Sequence, residues 1–197
     1  LVALAPHLYD FSHDRIREAA YTLIGPMRRT HLHRRIAAAL EQVYSNDLDA
    51  VAALLAAHYE QAGLAEKAVV WYQRAAEVHR RLYAHNEAIA HLHAALALLR
   101  TLPATHSRDQ QELAFLLSLN ADLLIAKGYT VPEVGVVLEQ ARDVAARLGD
   151  RWQLFRVLRQ LLFFHNAGRG LLVSRELAAQ LLSLAQELEE WTYLAEA

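Results

Sequence analysis

Apolar and glycine positions in the C-terminal half of this sequence recur at an offset of forty residues. Gly128 is matched by Gly168, Ala145 by Ala185, Leu148 by Leu188, and Leu124 by Phe164. Upstream, an echo at twenty residues pairs Ala68 with Ala88, Val69 with Ile89 and Ala75 with Ala95. Repetition of this length marks an array of similar small units. One such unit cannot bury its apolar stripe alone, so neighbours must stack and share a core. A chain with this pattern folds into an array and not around a single central core.

The units are helical. Only 7 Gly and 4 Pro punctuate 197 residues, while Ala and Leu are abundant and β-branched residues thinly spread, which favours helix over strand. At 54% hydrophobic and 21% charged, the chain has the composition of a folded protein. About nine helices joined by short turns are expected, with no strand. Ser12 is placed to cap a first helix carrying Ile16, Ala19, Ala20 and Leu23 and stopped by Gly25-Pro26. Pro26 opens a second, with Leu32, Ile36, Ala39, Leu40 and Val43 on its inner face. Asn46 or Asp47 starts a third, which ends at Gly63. A fourth runs from about Ala65 to Leu82 and a fifth from about Asn86 to Arg100. Beyond a polar linker, Ala104 to Arg108, the spacings Ser107 with Gln110, Thr130 with Glu133 and Asp150 with Gln153 read as capping boxes. They open helices ending near Gly128, Gly149 and Gly168, and a last helix covers about Leu172 to Glu190. Glu189-Glu190-Trp191 reads as a new helix starting, and both ends of the chain read as cuts in a longer protein.

Within residues 49–75, Ala56, Tyr59, Gly63, Ala68, Tyr72 and Ala75 fall in the order and spacing of a tetratricopeptide unit, which this stretch resembles. Small residues let two antiparallel helices approach, aromatics fill the wedge between them, and Gly63 takes the turn conformation. The usual Trp position holds Ala52 and the closing Pro position Arg80, so the unit is degenerate. The expected fold class is therefore all-α: a tetratricopeptide-like superhelix of antiparallel helix hairpins. Three parts are expected. Residues 1–45 form a helical junction, residues 46–103 a degenerate repeat with an extra helix, and residues 104–197 two forty-residue hairpins with the start of a further helix.

A second resemblance involves "FSHDRIREAAY" at 11–21, "RRTHLHRRIA" at 28–37, "AAHYEQAGLAEKAVVWYQRAAE" at 56–77 and "RELAAQLLSLAQEL" at 175–188. These stretches are similar to large bacterial STAND-type signalling ATPases, among them regulators of the maltose-activator type and adenylate cyclase-associated ATPases. In such proteins the junction follows the nucleotide-binding and winged-helix regions and leads into tetratricopeptide repeats. The resemblance implies a cytoplasmic, non-catalytic sensor or scaffold arm. ATP would be bound by a neighbouring domain, with no cofactor in this stretch. The implied partner is a protein, a peptide or another domain of the same chain.

The residues offer little else chemically. Cys is absent, which excludes disulfides, thiolate zinc sites and a cysteine nucleophile. Of the eleven His, the nearest pairs, His31 with His33 and His91 with His93, stand two apart on helices and point to opposite sides, so neither shares a metal. Lys127-Gly128-Tyr129-Thr130 lacks the glycine spacing of a phosphate loop. No apolar run reaches the length of a membrane span, and no signal peptide is visible.

Net charge is −2, yet residues 1–40 balance to +3, leaving −5 for the rest. The basic cluster Arg28, Arg29, Arg34 and Arg35 is a candidate anion or domain contact. An acidic remainder argues against an extended nucleic-acid groove. By the geometry of the repeat, Glu60, Ser118, Asp122 and His165 are expected to line a partner-binding groove. The aromatics Trp71, Tyr72, Trp152, Phe155, Phe163 and Phe164 are expected in the core. Phe155, Leu158, Leu162, Val157, Leu161 and Phe164 make one helix apolar nearly all round, either sandwiched between neighbours, the favoured arrangement, or open to a partner. Two other roles remain open at this point: a small-molecule sensor with an apolar pocket between hairpins, and a DNA-proximal arm using the N-terminal arginines.

Overall fold

The computed structural model describes residues 2–5, 8–10, 13–168 and 171–187. It is an all-α helical-repeat superhelix preceded by a small ribbon. The ribbon pairs β1 (Val2–Ala5) with β2 (Leu8–Asp10) antiparallel, Val2 facing Asp10 and Ala3 facing Tyr9. It corrects the expectation of no strand: two short apolar runs either side of Pro6 are too brief for periodicity to separate strand from helix.

Nine α-helices follow among the described residues: α1 (Asp14–Leu23), α2 (Pro26–Val43), α3 (Ala52–Gln61), α4 (Ala65–Arg81), α5 (His85–Leu99), α6 (His106–Lys127), α7 (Pro132–Leu148), α8 (Arg151–Ala167) and α9 (Leu171–Glu187). A 3-10 turn, Asp49–Val51, leads into α3, and the Asp47 carboxylate accepts from the Ala50 N–H there. From α2 to α9, each helix packs chiefly on its neighbours in sequence. One apolar cluster runs unbroken from Ala37 to Ala185.

The repeat positions are filled as their spacing requires. Ala56, Tyr59, Ala68, Tyr72 and Ala75 are all buried, as are the partners at twenty, Ala88, Ile89 and Ala95, and the forty-residue pair Ala145 and Ala185. Leu188 lies outside the described residues, as do Ser12 and Glu189 to Trp191. The joints repeat too. After α3, Gly63 takes φ +68° and the next N–H, of Leu64, returns to the Tyr59 carbonyl. Twenty residues on, after α4, the same bond runs from Ala84 to His79, but the left-handed position is held by Tyr83 at φ +58°. Glycine adopts that conformation freely, whereas a side chain makes it costly.

Two of three expected helix starts differ from expectation. At α6 the cap is Thr105, whose hydroxyl accepts from the Arg108 N–H at 3.1 Å, so the linker is shorter and Ser107 lies inside the helix. At α7, Val131 occupies the cap without a side-chain bond, because Glu133 is held by Lys127 and His93. At α8 the Asp150 cap forms as the spacing predicts, accepting from the Gln153 N–H at 3.0 Å.

The largest difference is in α1 and α2. Leu32 and Leu40 are half-buried, but Ile36, Ala39 and Val43, expected on the inner face, are exposed, and Ala37 is the residue of α2 that is buried. Leu23 and Met27, at the turn between the helices, are 87% and 89% exposed. Packing on α3 alone cannot cover the apolar surface of two helices.

Candidate functional site

Helix α6 carries two polar residues in an apolar stretch, Asn120 and Asp122, and they face different neighbours. Asp122 is fully buried. Arg80 of α4 donates to it from Nη2 at 2.7 Å and from Nε at 3.0 Å, and His85 of α5 meets it through Nδ1 at 2.9 Å. Burial opposes ionisation of Asp122, but these two donors outweigh it and hold its carboxyl below the usual range. Asp122 therefore pins three consecutive helices. Both of its oxygens are committed inside the chain, which corrects its expected place on a groove.

A second polar node lies at the other end of α6. Arg100 of α5 donates to Glu112 at 2.7 Å, while Arg108 and, from α7, Arg147 donate to Asp109. These two arginines pull the Asp109 carboxyl down to about 2.

The other expected groove residues are scattered. Glu60, at the end of α3, is exposed and accepts from the Tyr72 hydroxyl at 2.6 Å. Ser118 is half-buried on α6, and half-buried His165 on α8 sets its ring edge-on to Phe164. The structure does not bring the four together.

In the basic cluster, Arg28, Arg34 and Arg35 are exposed and form no ion pair among the described residues. Arg29 lays its guanidinium over the Tyr21 ring, 5.1 Å from the centroid. Ile16, Leu23, Met27 and Ile36, all exposed, stand on the same two helices, α1 and α2. The histidines pair differently from their sequence spacing. His33 bonds His58 of α3 through Nδ1 atoms 2.8 Å apart and meets the Tyr21 hydroxyl at 2.9 Å through Nε2. The His91 ring lies tilted against that of His79, centroids 4.9 Å apart. Burial first, and then the neighbouring imidazole, push His58 and His91 below the ordinary histidine value.

Asn120 faces the other way, towards α8. Its Nδ2 donates to Gln160 Oε1 at 2.7 Å, but its Oδ1 is buried with no hydrogen-bond partner. Beside it opens a cleft of about 610 Å³, lined by Leu124, Val134, Leu138 and Leu162 with Tyr129 and Phe163 among the aromatics. Phe164 also lines it, resting on α7 where Gly135 has no side chain; a Cβ there would stand 2.6 Å from the ring. Helix α8 is thus sandwiched between α7 and α9 through Phe155, Val157, Leu158, Leu161 and Leu162. Phe163, expected in the core, is 58% exposed and meets Tyr129 edge-on at 5.4 Å. Trp152 is also exposed. Asn120 and Gln160 escaped the sequence reading, although their forty-residue offset was a visible signal.

Known proteins add little. No family model and no curated protein matches this sequence. Among solved structures, the chain is similar to nearly identical TPR-like repeats of a Podosopora anserina protein described as a kinesin light chain. That match has 17% identity and a TM-score of 0.45, covering 85% of this chain and 99% of that one. It is also similar to BtubC (BKLC) from P. vanneervenii, at 11% identity and a TM-score of 0.41, covering 93% of this chain and 82% of that one. The helical-repeat architecture rests on the helix order, joints and core already described.

Among the described residues, no group of three or more His, Asp or Glu stands close enough to hold a metal ion. No described helix is long and apolar enough to cross a membrane.

Proposed function

We propose that this protein is a non-catalytic interaction module that docks a protein surface on the α1–α2 face. The favoured partner is another domain of the same chain; a separate protein or peptide is the second choice. The observation that supports this reading is the exposure of Leu23, Met27, Ile36 and Val43 beside Arg28, Arg34 and Arg35. Several large apolar side chains left exposed among arginines on one pair of helices are a mark of a contact surface. Arginine suits the rim of such contacts because its stem packs while its head pairs. The resemblance to STAND-type signalling ATPases supplies the context: a cytoplasmic multidomain regulator whose ATP site lies in a neighbouring domain, with this module relaying a signal. Duplex DNA is disfavoured, since the acidic remainder of the chain would repel it.

Photo-crosslinking in the natural full-length protein tests this. A benzophenone side chain placed at Met27 or Leu23 is expected to yield one discrete adduct to a defined segment. The same group at exposed Arg156 is expected to yield none. Diffuse labelling, equal at all three positions, would sink the docking reading.

A further inference from the structure

We propose that the cleft between α6, α7 and α8 binds a small uncharged molecule with a flat apolar body and one N–H or O–H donor. This goes beyond the docking face on α1–α2, and neither reading depends on the other. Its volume, about 610 Å³, lies within the span common to small-molecule sites, and such sites combine apolar walls with few polar groups. The walls here are Leu124, Val134, Leu138 and Leu162. Tyr129 and Phe163 are 54% and 58% exposed and hold an edge-to-face arrangement. Exposed rings fixed against each other offer a flat body a surface on which to stack.

The polar group that sets the ligand's chemistry is Asn120. Asn120 is one of the lining residues, is 3% exposed, and leaves its buried Oδ1 unpartnered while Nδ2 is spent on Gln160. A buried acceptor without a donor is rare enough in a folded protein to call for an explanation. A ligand N–H or O–H delivered beside it supplies the missing bond. Gln160, Asn166 and Arg159 complete the lining, and because Arg159, the one cation there, is already engaged within the chain, an uncharged ligand is favoured. Gly135 leaves room for the Phe164 ring that lines the cleft, where a Cβ would stand 2.6 Å from the ring and force it to move.

Ligand-observed NMR titration of the 197-residue chain, with two matched probe pairs, tests the site. Indole is compared with 1-methylindole, and benzamide with N,N-dimethylbenzamide, so that each pair differs in the donor. At least one donor-bearing probe is expected to saturate and to bind about fivefold or more tighter than its methylated partner, as one hydrogen bond to a buried acceptor would give. Asn120→Leu is expected to abolish that preference. Phe163→Ala, at an exposed position that folding does not need, is expected to weaken the bound probe severalfold. The proposal is overturned if neither donor probe saturates, if the methylated probes bind as tightly, or if Phe163→Ala leaves the affinity unchanged.

Discussion

Asn120 and Gln160, forty residues apart, occupy equivalent places on α6 and α8 and meet at 2.7 Å through their amides. The repeat therefore reappears in space as a side-chain bond between corresponding positions. Removing one partner strands the other in the interior. Gln160→Leu is expected to cost about 1–3 kcal/mol, read as a lower urea midpoint. The double change Asn120→Leu with Gln160→Leu is expected to recover most of that loss, because two apolar groups leave nothing unsatisfied.

Asp122 should be the most sensitive polar position in the chain. Asp122→Asn keeps the shape but removes the charge that holds Arg80 and His85, and breaking a buried ion pair from one side costs about 3–5 kcal/mol. Chemical denaturation of the variant should show a loss near that range; a loss below about 1 kcal/mol would mean that Arg80, which is partly exposed, finds water instead.

Tyr83 offers a change in the opposite direction. It holds φ +58° at a joint where the preceding unit has glycine, and its side chain is largely exposed. Tyr83→Gly is expected to stabilise the protein by about 1 kcal/mol, the relief of left-handed strain exceeding the entropy lost by glycine. Thermal unfolding would show this as a rise of a few degrees.

Stability should fall on acidification in two stages. His58 and His91 titrate below their unfolded value of 6.5, so the unfolded chain takes up protons first. Their contribution is complete above that value and is lost as pH drops through it towards the folded values. Asp109 and Asp122 are depressed carboxylates, whose contribution survives to about pH 4 and disappears below. Melting temperature followed from pH 8 to 3 should trace both steps, and His58→Gln with His91→Gln should flatten the first.

What the sequence made legible was governed by local physics. Gly63, Pro26 and Asp150 act on their own backbones, and each delimits its helix as its chemistry requires. The apolar positions paired at twenty and forty are buried where both members are described, except Leu124 and Phe164, which are both half-buried, because burial at those sites depends on stacking like units. The polar interior was not legible. That Asp122 meets Arg80, and His33 meets His58, depends on which helix faces rotate together across the array, and no local pattern encodes that rotation. The same limit hid the exposure of Ile36 and Val43: periodicity identifies an apolar face, but only the neighbours decide whether anything covers it. The cleft was expected only as a class of pocket between hairpins, since Asn120 looks like any other polar residue until its amide is seen half-paired.

Four of the side-chain bonds skip a helix: Arg80 to Asp122 joins α4 to α6, His93 to Glu133 and Arg100 to Gln140 join α5 to α7, and Asn120 to Gln160 joins α6 to α8. A stack held only by adjacent contacts can peel one helix at a time from either end. Overlapping ties of longer reach make α4 through α8 open together, so amide exchange in that block should proceed at a single slow rate. Helices α1 and α2, which show no such tie among the described residues, are expected to breathe or swing without disturbing it. A stiff block with a loosely hinged entrance passes force along its length while leaving its first two helices free to respond to whatever touches them.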